Sequence, residues 1–190
     1  MLAVVLPWTV QVGGLDVPGA GPVFLSALGV HVAAGITSVV SGAWAAATGK
    51  RSGRHPRAGV VYLYGIAVVF VTATIMAIIR WGQDAHLFAI AVVTFSLAML
   101  GRWARRHRPR RWLTWHGAAM AGSYIALLTG FYVDNGPHLP LWNRLPPLAF
   151  WLLPATIGIP ITWLALVRNG AISWPRHAAG HIAGSLRPRR

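Results

Sequence analysis

Eight histidines carry most of the chemistry that this sequence offers. The chain has no cysteine and no glutamate, and its three aspartates, Asp16, Asp84 and Asp134, all lie outside the long apolar runs. Without thiols there is no thiolate zinc site, iron–sulfur centre, disulfide or covalent c-type haem attachment. Without carboxylates inside the apolar segments there is no intramembrane carboxylate relay and no di-metal carboxylate bundle. A Walker loop, a dinucleotide-binding glycine fingerprint and HExxH are absent as well. Imidazole remains, and it ligates haem iron and divalent metals.

The elements that must position these rings are membrane helices. The 190 residues are 55% hydrophobic and 11% charged, against about 25% charged in a soluble domain. Apolar runs are read at 23–47, 59–79, 86–100 (extending to 103), 115–132 (extending back to 112) and 148–167. A crossing needs about 20 apolar residues, so the expected fold is an all-α polytopic bundle of about five transmembrane helices. Residues 1–22 form an interfacial lead, a short strand or helix on the membrane surface. They lack the basic start of a cleaved signal peptide, so the first crossing segment does the targeting. Residues 23–167 are the transmembrane domain and 168–190 a basic cytoplasmic tail. Pro154 and Pro160 should kink the fifth helix without breaking it.

The net charge of +14 follows the same organisation. Six arginines, Arg102, Arg105, Arg106, Arg108, Arg110 and Arg111, fill the connection between the third and fourth segments. Lys50, Arg51, Arg54 and Arg57 lie between the first and second. With the five arginines of the tail, these place 15 of the 17 basic residues on alternate connections. Short basic loops stay cytoplasmic, which predicts an outside N-terminus and an inside C-terminus. The charge is therefore assigned to topology and anionic lipid headgroups, and no nucleic-acid partner is expected. A homodimer through a Gly/Ala-rich face, or a membrane protein partner, is compatible with this pattern.

Topology sorts the histidines by depth. His31 and His86 fall towards the outer side, His55 and His116 at the inner side. His31, Gly35, Ser38 and Gly42 share one helical face whose small residues admit a neighbouring helix. One or both same-side pairs are candidate axial ligands of b-type haem, edged by Tyr62, Tyr124, Trp81 and Trp115, with inner arginines meeting the propionates. The same four histidines are candidate metal ligands, and His55 with His116 and either His107 or water would make a divalent site. In a third reading the interfacial rings bond backbone or water, and His31 is a helix-packing polar residue.

HVAAG at 31–35, RHPRAGVVY at 54–62 and the stretch from His116 through Met120 to Ser123 and Tyr124 resemble the DUF2306 family of predicted bacterial multi-spanning membrane proteins. His31, Gly35, His55, Gly59, Tyr62, His116 and Tyr124 match its recurring positions. The resemblance implies at least four crossing helices in a prokaryotic cytoplasmic membrane and brings no established activity. The histidine placement also looks like that of cytochrome b561-type haem bundles, while departing from their spacing and helix-to-helix pairing. Three functions follow as expectations. They are electron transfer on histidine-ligated haem, transport of a small molecule or ion past His31 and the kinked fifth helix, and a non-catalytic lipid- or partner-binding role of the arginine loop and tail.

Overall fold

A computed structural model describes residues 9–12, 15–18, 21–49, 53–140 and 142–172. Five long helices dominate it: α1 (Pro22–Ala47), α2 (Arg54–Ile79), α3 (Trp81–His107), α4 (Trp112–Asn135) and α5 (Pro147–Arg168). The N-terminal lead is a strand hairpin, β1 (Thr9–Val12) antiparallel to β2 (Leu15–Pro18), with Val12 opposite Leu15. Two single-turn 3₁₀ helices, Gly136–His138 and Trp142–Arg144, join α4 to α5. The tail beyond residue 172 lies outside the described residues, as do Lys50 and Arg51.

Four helices, α1, α2, α3 and α5, are long and apolar enough to cross a bilayer, and the chain is a multi-pass membrane helix bundle. α4 has the length, 24 residues or about 36 Å, but not the hydropathy of the other four. It carries His116, Ser123, Tyr124 and Thr129, and it packs against α1, α3 and α5. A helix walled by other helices can hold polar groups that lipid would penalise.

Sequence reading placed helix ends where apolarity ends, and the backbone runs further. α2 starts at Arg54 and α3 ends at His107, so Arg102, Arg105 and Arg106 belong to the last turns of α3 and only 108–111 form a turn. Cations there complement the negative end of the helix dipole. Arg108 (φ 48°) and Arg111 (φ 62°) both adopt left-handed backbone, which closes the α3–α4 connection around Pro109. The Arg108 guanidinium lies over the Trp112 ring, 5.4 Å from its centre.

α1 packs along α2, α2 along α3 and α3 along α4, while α4 also reaches α1 and carries α5 on its flank. This ring sets α2 diagonally opposite α4 and α1 opposite α3. The interior is built from Tyr62, Ile66 and Ala98, walled by Leu63, Phe95, Met120, Tyr124 and Leu127. Large aliphatic side chains face outwards, Ile78 and Ile159 among them, as expected when lipid is the solvent. α5 runs unbroken through Pro154 and Pro160.

Small residues and hydroxyls make the close contacts. A Cβ on Gly42 would stand 2.6 Å from the Tyr124 ring, and one on Gly65 would strike Ser38, which is fully buried. Gly35, on the same predicted stripe, faces open space, so the helix contacts of that stripe skip this position. Ser123 donates its single proton to the Thr94 carbonyl at 2.9 Å, so the Tyr62 hydroxyl is the donor in its 2.8 Å bond to Ser123 Oγ. One chain of bonds thus ties α2, α4 and α3. Tyr62→Phe is expected to lower stability by about 0.5–2 kcal/mol, read from reversible unfolding in detergent.

Candidate functional site: a pair of imidazoles at the basic end

His55 and His116 meet at the end of the bundle that carries the basic connections. His55 sits in the first turn of α2 and His116 in the second turn of α4, on diagonally opposed helices. Both rings are half-buried, with centres 6.5 Å apart and planes at 85°. Their helix phases explain the meeting. His55 and Tyr62 are seven residues apart on α2 and so share one face, as do His116 and Ser123 on α4. The Tyr62–Ser123 bond fixes those faces towards each other.

Each ring is oriented by a backbone carbonyl of a third or fourth helix. His55 Nδ1 lies 2.8 Å from the Ala45 carbonyl and His116 Nδ1 lies 2.8 Å from the Gly101 carbonyl. A carbonyl only accepts, so both rings carry a proton on Nδ1, and in the neutral ring Nε2 holds the lone pair. Ala45 lies in the last turn of α1, and its carbonyl also accepts from Thr48 Oγ1 at 3.3 Å, so His55 ties α2 to that helix end. Gly101 is buried against Met120: a Cβ there would stand 2.7 Å from Met120 Sδ, so the glycine lets α4 approach α3 closely. An Nδ1–H held by a carbonyl is the arrangement that orients imidazole for ligation through Nε2.

The remaining sequence candidates are placed differently. His31 and His86 are not brought together. His31, half-buried on α1, shares a 2.9 Å bond between Nδ1 and Thr72 Oγ1 of α2. The Thr72 hydroxyl lies 2.8 Å from the Val68 carbonyl, its proton acceptor, which leaves His31 as the donor to Thr72. His86 is exposed on α3, with its ring 6.3 Å from that of Trp151 on α5. His107 bonds the Trp103 carbonyl of its own helix at 3.1 Å and stacks on the Trp103 ring. Trp81 and Trp115 are exposed. Tyr62 and Tyr124 pack 6.3 Å apart, and their hydroxyls are committed to Ser123 and to the Val39 carbonyl. All six arginines of the 102–111 run are exposed.

Among the described residues no group of three or more histidines and aspartates is placed to hold a metal ion. Two clefts, one of about 380 Å³ between α1 and α2 and one of about 230 Å³ between α4 and α5, have no histidine in their walls. Thr72 and the carbonyls of Ala45 and Gly101 are the partners that sequence reading missed. The only available signal was glycine at 101, a small residue amid bulky neighbours, because carbonyl partners leave no trace in residue type.

No family model, no curated protein and no solved structure matches the chain. The likeness to the DUF2306 family and to cytochrome b561-type bundles therefore rests on the short motifs alone.

Proposed function

We propose that this membrane bundle is an electron carrier that binds b-type haem between His55 and His116. The observation that carries the reading is the paired imidazoles, 6.5 Å apart and each anchored through Nδ1. His55 on α2 and His116 on α4 would hold the iron through their Nε2 atoms. Haem needs only two protein ligands, whereas a tetrahedral divalent site needs more than the two imidazoles brought together among the described residues.

Bound there, haem supplies a one-electron ferric/ferrous couple. The chain's own contribution is positional and electrostatic. The Ala45 and Gly101 carbonyls fix ring orientation. The exposed arginines at the end of α3 offer charge-assisted bonds to propionates and to anionic headgroups. Buried Tyr62 and half-buried Tyr124 lie about two helical turns further into the bundle on the same two helices.

In this reading α4 crosses together with the other four helices, the N-terminus lies outside, and the basic end faces the cytoplasm of a prokaryotic cell. A C-terminal fluorescent-protein fusion is expected to fluoresce and a C-terminal alkaline phosphatase fusion to stay inactive. The reverse pattern would contradict five crossings. The haem itself is tested by the absorption spectrum of the purified chain, whose Soret band should depend on His55 and His116.

A further inference from the structure

The cleft between α1 and α2 lies on the lipid-facing side of the bundle and is almost wholly apolar. Ile36, Val40 and Trp44 form one stripe of α1 at four-residue spacing, exposed by 57–64%, and Ala58 and Val61 of α2 make the opposite wall over Ser41. From Ile36 to Trp44 the stripe runs about 12 Å along the helix. Arg54 stands one turn before Ala58 and Arg57 one turn before Val61, so both share the helix faces that wall the cleft. Both are exposed, at the end of the cleft where the bundle's basic connections lie.

We infer that this cleft holds one phospholipid with an anionic headgroup. Its acyl chain lies along Ile36, Val40, Trp44 and Val61, and its phosphate bonds Arg54 and Arg57. A lipid-facing apolar groove accepts any acyl chain, and the two guanidiniums at its mouth supply the selection for negative charge. Trp44 at the same end is an amphipathic ring of the kind that anchors at headgroup depth. The site is separate from the six arginines of the 102–111 run, none of which lines this cleft. The inference does not depend on haem.

The test is native mass spectrometry of the full chain in mild detergent with added phosphatidylglycerol or phosphatidylcholine of identical acyl chains. The wild type should retain one phosphatidylglycerol in preference to phosphatidylcholine by about tenfold. R54Q/R57Q should remove that preference. Val61→Trp, which fills the cleft from a lipid-facing position, should reduce retention of both lipids. R105Q/R106Q should leave the preference intact. Equal retention of the two lipids by the wild type would overturn the inference. So would a preference that survives R54Q/R57Q, or one lost equally in R105Q/R106Q.

Discussion

His55→Asn is expected to abolish the Soret band of the purified protein while leaving its fold in place, and His116→Asn to do the same. Asparagine puts an amide N–H where Nδ1 stands, so the bonds to the Ala45 and Gly101 carbonyls survive and the helix contacts they secure survive with them. What is removed is Nε2. A ring that only closes the end of α1 would tolerate the change without any spectral consequence, and a haem ligand would not. Loss of ligation to one side of an iron costs far more than the ~1 kcal/mol expected from exchanging one neutral hydrogen-bond donor for another. The measurement is haem content per chain together with unfolding in detergent. His86→Asn, at an exposed ring on α3, should change neither.

The largest loss of stability is expected at Gly65. A Cβ there collides with Ser38 Oγ, and Ser38 has nowhere to go: it is fully buried and bonded to the Ala34 carbonyl at 2.7 Å. Gly65→Leu forces α1 and α2 apart along the interface on which the inner wall of the bundle depends. A cost of about 3 kcal/mol or more is expected, enough to deplete folded protein in the membrane. Gly35→Leu is the matched comparison, since nothing lies within 4 Å of a Cβ at that position. It should stay within about 0.5 kcal/mol of the parent. Equal costs at the two glycines would refute the close α1–α2 packing described here.

The contrast between these glycines shows where sequence reading succeeds and where it stops. Gly35, Ser38 and Gly42 share a face by spacing alone, yet a Cβ at Gly35 would meet nothing while Ser38 and Gly42 pack against α2 and α4. Depth is legible in the same limited way. Topology set His55 level with His116 and His31 level with His86, and both pairings were reasonable on that basis. Rotation about each helix axis then separated them. The Tyr62–Ser123 bond turns one pair of faces inward, while His31 turns to Thr72 and His86 turns out to the surface near Trp151. Apolarity located all five helices but not their ends, since backbone hydrogen bonding continues into the charged interface at Arg54 and at Arg102–His107. It also masked what sets α4 apart: His116, Ser123 and Tyr124 lower its hydropathy and reach carbonyls of α3 and α1.

The central claim is that the His55–His116 pair holds haem, and the spectrum of the unaltered protein tests it most directly. Full-length chain would be purified in mild detergent from haem-sufficient cells, and its air-oxidised spectrum compared with that after dithionite. A Soret band that sharpens on reduction, at about one haem per chain, is the predicted result. A featureless spectrum from folded, haem-supplied protein would contradict the account and leave the two imidazoles as the clamps of α1 and α3.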